Sequence, residues 1–207
     1  MAFRQKGQTY SNKFKKTPKE TVVYTPLNLS YFIYSKLKDF FPVSSIIVDP
    51  CAGGGSLLKP WKEKGYQTYR IDINPESKAN ETTDFLKITN WDNRPKPDLI
   101  ICNPPFNGLF PRMAPEVWLD KLVELFGKEQ PLVLFTTYQM RICHSVKSKR
   151  YQKWLKNWPT ISSILCLPDD IFKPYSINSE VIFFNLGKLK PHYFLAEITL
   201  PTYDPFE

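Results

Sequence analysis

One tetrad in the sequence has residue types suited to a specific piece of chemistry. It is Asn103-Pro104-Pro105-Phe106, directly after the apolar run Asp98 to Cys102. The run reads as a strand, and two consecutive prolines end it and stiffen the backbone. Pro104 precedes a proline and is held extended, so its carbonyl points away from the sheet ladder and is free to accept. Pro105 has no N–H to compete. Asn103 adds a side-chain carbonyl, and Phe106 adds a flat apolar face. Two acceptors and one ring can grip a planar group that carries an exocyclic amine. The N6 amine of adenine fits this description. Its lone pair is delocalised into the ring, and acceptors outside the base plane help it rehybridise toward a tetrahedral amine. No covalent intermediate with the protein is needed.

A second stretch lies upstream. In VDPCAGGGSLL, residues 48 to 58, an apolar run ends at Asp49, three glycines follow, and a helix begins. Glycine lets a backbone approach a ligand closely. Asp72 ends the next apolar run, where α/β folds place a carboxylate for ribose hydroxyls. The spacing is G-G-G-S rather than G-x-G-x-x-G, and no Walker lysine follows, so phosphate cradling is the weaker functional reading. A plain tight turn between strand and helix stays open beside it.

The elements that must position these residues alternate. Residues 27–41 have helical spacing, 45–50 form a short apolar strand, and 57–65 a short helix with Pro60 near its first turn. A strand at 67–73 precedes a polar, irregular stretch over 74–97. The strand 98–102 leads to an amphipathic helix over 114–128, a strand over 131–139, a basic helix over 147–158 and two further apolar strands. Continuous apolar strands between helices predict a mostly parallel sheet covered on both faces. Only a short connection joins the last two strands, so that pair is expected to be antiparallel. Ligands in such sheets bind beyond the C-terminal strand ends, which places Asp49, Asp72 and Asn103 around one crevice.

Bulk properties bound the rest. The 207 residues suit one domain, divided here into a basic flexible arm at 1–20, a core at 21–190 and a C-terminal tail at 191–207. The net charge of +8 favours a polyanionic partner. Four separated cysteines without a C-x-x-C pair, and two histidines, suggest neither a zinc site nor a disulfide framework, and no metal is expected. No apolar run approaches membrane-spanning length, and the expected setting is soluble, reducing and cytoplasmic.

With these residues in view, the chain resembles the N6-adenine DNA methyltransferases that use S-adenosylmethionine, in the gamma-class motif order. DPCAGGG at 49–55 resembles the first cofactor motif, and Asn103-Pro-Pro-Phe the catalytic motif. VVYTPLNLSYFIYSKL at 22–37 resembles the cofactor-covering segment, most like that of type I restriction-modification methylase subunits. TDFL at 83–86 and the strands ILCLPDDIF and INSEVIFFNLG complete the likeness, which spans residues 22–187. The resemblance implies a Rossmann-like class I fold, a seven-stranded mostly parallel sheet with an antiparallel last strand. It implies that Asn103, Pro104, Pro105 and Phe106 are catalytic. It implies that Tyr24, Thr25, Pro26, Asp49, Cys51, Ala52, Gly53, Gly55, Asp72, Ile73, Asp84 and Phe85 hold S-adenosylmethionine, with Asp72 on the ribose and Asp84 and Phe85 on the adenine.

Arg141, Lys147, Lys149, Arg150, Lys153 and Lys156 run without an acid and alternate with Tyr151, Trp154 and Trp158, a strip read as a phosphate contact. A duplex target needs its adenine flipped out, with Phe106 as stacking platform and Tyr175 or Phe172 closing from the other side. The family usually carries a separate recognition domain, whereas only about twenty residues follow Gly187. Specificity is then expected from a partner subunit or homo-oligomer, or it is relaxed. DNA is the preferred substrate. RNA is the alternative, protein glutamine a lesser one, and a non-catalytic nucleic-acid-binding scaffold the reading from another class.

Overall fold

The computed structural model describes residues 23–106, 113–143, 145–173 and 175–195. The basic arm and most of the C-terminal tail lie outside the described residues. The elements are α1 (Leu27–Leu37), β1 (Ile46–Asp49), α2 (Lys59–Glu63), β2 (Gln67–Asp72), β3 (Glu81–Thr82) and β4 (Leu99–Cys102). They continue as α3 (Ala114–Phe126), β5 (Leu132–Thr137), α4 (Lys149–Lys156), β6 (Ile161–Cys166), β7 (Ser179–Phe184) and β8 (His192–Phe194).

The strands form one sheet in the order β3-β2-β1-β4-β5-β7-β6-β8. β1, β2, β3, β4 and β5 pair in parallel, while β7 runs antiparallel to both β5 and β6. The short link between β6 and β7 produces that reversal, as the sequence implied. The sheet has eight strands rather than the expected seven. β8 comes from the segment read as tail and pairs in parallel with β6, with Ile164 opposite His192. Pro191 and Lys190 feed this edge, since the Pro191 carbonyl accepts the Ile164 N–H at 3.0 Å and the Lys190 carbonyl accepts the Ser163 hydroxyl at 2.6 Å.

Strand alternation divides the core into two layers. Ile47, Leu99, Ile101, Val133, Phe135, Val181 and Phe183 face α1 and α2, where Leu29, Ile33, Leu37 and Trp61 cover them. Val48, Ile100, Cys102, Leu132, Leu134, Ile182 and Phe184 face the other way, onto Trp118, Leu119 and Leu122 of α3 and the indole of Trp158. The strands are buried on both faces, which explains why they read as unbroken apolar runs. At the other edge, Arg94 grips Glu81 through two hydrogen bonds of 2.7 Å, and Tyr69 donates to the same carboxylate at 3.0 Å. The guanidinium holds the Glu81 carboxyl below its usual pKa.

Candidate active site

Asn103 leaves the sheet one residue beyond β4. Its Nδ2 donates to the Thr25 hydroxyl at 3.0 Å, across 78 residues of sequence. Thr25 is buried just ahead of α1, and Pro26 leads that helix, its carbonyl accepting the Ser30 N–H at 3.2 Å. The amide of Asn103 is thereby oriented, and its Oδ1 is buried with no hydrogen-bond partner. A buried carbonyl left unpaired costs about 1–3 kcal/mol, so an orphan at a strand end calls for a reason. Pro104 is buried, Pro105 is exposed and Phe106 is half-buried, packing on the α1 face of the core.

The glycine loop sits beside it. Gly53 has φ +49° and Gly55 φ +82°, both in the left-handed region that favours glycine. A Cβ on Gly53 would lie 3.3 Å from the ring of Tyr24, and one on Gly55 would lie 2.7 Å from the Arg70 guanidinium. Tyr24 is 59% exposed and lies across the loop as a cover. The Ala52 N–H donates to the Ile71 carbonyl at 2.9 Å, tying the loop to β2. Asp72 accepts the Gly53 N–H at 2.7 Å through one oxygen and the Asn74 N–H at 2.8 Å through the other. Each oxygen keeps a lone pair for a further donor such as a ribose hydroxyl. Ile73, beside it, is 68% exposed and offers an apolar face.

Beneath the loop, Asp49 is fully buried and accepts the Cys51 N–H at 3.0 Å. Burial pushes its carboxyl up to about 7, against the pull of the Cys51 hydrogen bonds. Burial also pushes the Cys51 thiol well above the ordinary range, reinforced by the neighbouring Cys102 and Asp49. These thiols are structural neighbours of the loop rather than nucleophiles.

Other expected site residues have partners within the chain. Phe85 is 2% exposed and stacks on Trp118 at 5.1 Å and 14°. Asp84 starts a short 3-10 turn, accepting the Leu86 N–H at 3.1 Å, with Lys87 at 3.4 Å. Phe172 is buried, with its ring centroid 6.0 Å from that of Phe106. Tyr175 is half-buried in the loop between β6 and β7.

The basic strip divides. Arg141 forms a two-point pair with buried Glu180 of β7, both bonds at 2.6 Å. Arg150 reaches Glu116 at 3.2 Å, and Lys153 reaches Asp120 at 2.5 Å. These three cations bind α4 and its loop to α3 and β7, and their charge is already neutralised. Trp158 donates to Asp120 at 2.8 Å, and Trp154 packs on the core. Lys147, Lys149 and Lys156 stay exposed, without an ion pair to the described residues.

The sequence reading missed Arg70. Its side chain lies two residues before Asp72 on the same face of β2, abuts Gly55 and donates to the Lys78 carbonyl at 2.7 Å. The period of two along the strand was the available signal. Among the described residues, no group of three or more His, Cys, Asp or Glu could hold a metal ion. No described helix is long and apolar enough to cross a membrane.

No protein-family model matches the sequence, and no curated protein matches it significantly. Solved structures do. A modification subunit assigned to a type I restriction enzyme of Vibrio vulnificus aligns over 90% of this chain and 51% of its own, at 14% identity and TM-score 0.56. The methyltransferase subunit of a type I restriction-modification system from Streptococcus thermophilus aligns over 83% and 47%, at 16% identity and TM-score 0.61. A Listeria monocytogenes protein assigned as a class I S-adenosylmethionine-dependent methyltransferase aligns over 83% and 65%, at 15% identity and TM-score 0.55. The chain thus spans about half the length of these type I subunits. With the sheet order and the loop geometry above, the likeness establishes the architecture: the chain has the Rossmann-like fold of class I S-adenosylmethionine-dependent methyltransferases.

Proposed function

We propose that the chain transfers a methyl group from S-adenosylmethionine to the N6 amine of adenine in DNA. The observation that carries this reading is the buried, unpartnered Oδ1 of Asn103 at the end of β4. It is an acceptor held ready for a donor that the described residues do not supply. An exocyclic amine is such a donor, and it arrives beside the glycine loop that fits the cofactor.

The residues suit the cofactor. Gly53 and Gly55 leave open backbone where a side chain would meet Tyr24 or Arg70. Asp72 has acceptor capacity for the ribose, Ile73 offers an apolar face for the adenine, and Tyr24, Thr25 and Pro26 cover the methionine end. Bound there, the cofactor supplies an electrophilic methyl group on a positively charged sulfur.

This chain's residues then work on the acceptor. Asn103 Oδ1 and the Pro104 carbonyl take the two N–H bonds of the amine and hold its lone pair out of conjugation. Phe106 stacks on the base and excludes water from one face. With the cofactor bound, the amine lone pair would take the methyl group from its sulfur, and the surplus amine proton would leave to water. Positioning and electrostatics carry the step, without a covalent enzyme intermediate. Lys147, Lys149 and Lys156 contribute phosphate contacts.

The test is methylation of a defined, unmethylated DNA library with labelled cofactor and mapping of the modified bases, run beside unmethylated RNA. N6-methyladenine in DNA supports the reading. Label confined to RNA, or to glutamine side chains of protein, overturns it.

A further inference from the structure

Asn103 Oδ1 is one of three orphan atoms on a single rim. The hydroxyls of Thr137 and Ser179 are also buried without a hydrogen-bond partner. They sit at the ends of β5 and β7 and are direct register partners in the antiparallel pair. Thr137 lies two residues beyond Phe135, and Ser179 two residues before Val181, both of which face the α1 layer. Strand alternation puts the two hydroxyls on that same face. Asn103 lies two residues beyond Ile101 of the same layer and bonds to Thr25 at the head of α1. Phe106 packs there too.

Register places the three residues along one rim of the sheet. Cys102 pairs with Leu134, so Asn103 is level with Phe135, and Thr137 is two residues further on the adjacent strand. With strands about 4.8 Å apart and a rise of about 3.3 Å per residue, the two Cα positions are separated by roughly 8 Å. Ser179 is one strand further. A planar base whose amine rests on Asn103 reaches toward the hydroxyls with its opposite edge.

Neither hydroxyl has a hydrogen-bond partner among the described residues. Two facing, buried and unbonded hydroxyls are costly, and valine and alanine would fill the same sites more favourably. A ligand that accepts from them on the acceptor side of the site would offset that cost.

We propose that Thr137 and Ser179 form the deep wall of the acceptor pocket and select the base by donating a hydrogen bond to the ring nitrogen beside its amine. This rests on the adenine reading above. The glycosidic bond has to leave the pocket toward the nucleic-acid backbone. The buried hydroxyls therefore meet the edge remote from the sugar, where adenine carries N1 as an acceptor next to the N6 amine. Thr137, nearer β4, donates to N1, and Ser179 donates to the Thr137 oxygen. A hydroxyl rotates to suit, so the pair needs no backbone movement. Asn103 thus reads the amine and the hydroxyls read its neighbour, and a base with an N–H donor at that ring position is rejected.

The test uses the full chain as Thr137→Val, Ser179→Ala and the double variant, with unmethylated DNA as substrate and S-adenosylmethionine as cofactor. Transfer by the double variant is expected to fall about 10–100-fold in kcat/KM, the effect of removing a buried hydrogen bond to the reacting group. Cofactor affinity by calorimetry stays unchanged, and the thermal midpoint holds or rises because two orphan polar groups are gone. An oligonucleotide with 1-deazaadenine at the target gives the second readout. The wild type loses most of its kcat/KM on it, and the double variant handles both bases alike. A double variant that transfers at the wild-type rate overturns the inference, as does a lowered thermal midpoint, which marks the hydroxyls as structural. A wild type that methylates adenine beside an equally active double variant overturns this inference alone. A wild type that methylates no adenine overturns the functional reading and this inference with it.

Discussion

Asp49 makes stability fall as pH rises, and asparagine at that position removes the effect. The carboxyl is fully buried below the glycine loop, and burial raises it to about 7 from the ordinary 3.8. Between these values the folded chain holds a proton that the unfolded chain releases. Folded chains bind more protons there, so unfolding free energy decreases with pH through this window and levels off above about 7. The span is about three pKa units at about 1.4 kcal/mol each, which gives roughly 4 kcal/mol. An asparagine side chain in place of Asp49 would keep an acceptor for the Cys51 N–H and carry no charge at any pH. Urea unfolding of the wild type and Asp49→Asn at pH 5 and pH 8 measures the difference. The variant gains on the wild type by about 2.5 kcal/mol from pH 5 to pH 8, because the rest of the span is already lost below pH 5. Parallel pH dependences for the two chains would refute the reasoning, because Asp49 would then ionise freely in the fold.

Four further outcomes are expected. Arg141→Met leaves the Glu180 carboxylate, 2% exposed, without its partner. Partial solvent screening of the Arg141 side keeps the expected loss at about 2–3 kcal/mol, read from denaturant unfolding at pH 7. Replacing Lys147, Lys149 and Lys156 together by glutamate weakens DNA binding and lowers the slope of log affinity against log salt by about 2–3, with an unchanged thermal midpoint. Lys153→Glu, by contrast, lowers the midpoint, because Lys153 is bonded to Asp120. Gly53→Ala must place a side chain at φ +49° and 3.3 Å from Tyr24, so calorimetry should find cofactor affinity reduced about tenfold or more.

The sequence displayed most of the sheet because its strands are buried on both faces, and unbroken apolar runs survive reading without a structure. The reversed β7 was legible from a connection too short for a crossover helix. β8 was not, because three residues at a half-exposed edge carry no pattern. Asn103 and the glycine loop stood out because the chemistry proposed for them depends on local residue types. The basic strip misled for the opposite reason. Glu116, Asp120 and Glu180 are absent from its neighbourhood in sequence yet neutralise half of it in space, at separations of 34, 33 and 39 residues. The stacking of Phe85 on Trp118 was hidden in the same way, since that ring belongs to a distant helix.

Methyl transfer by this chain turns most directly on Asn103. Asn103→Ala removes the unpartnered acceptor and leaves the glycine loop, Asp72 and Tyr24 in place. The measurement is transfer of labelled methyl from S-adenosylmethionine to unmethylated DNA by this variant and by the wild type, at equal cofactor occupancy. The expected result is a loss of at least about a hundredfold in the variant, the effect of deleting a preorganised polar contact to a reacting group. Wild-type turnover by Asn103→Ala would contradict the role assigned to that side chain.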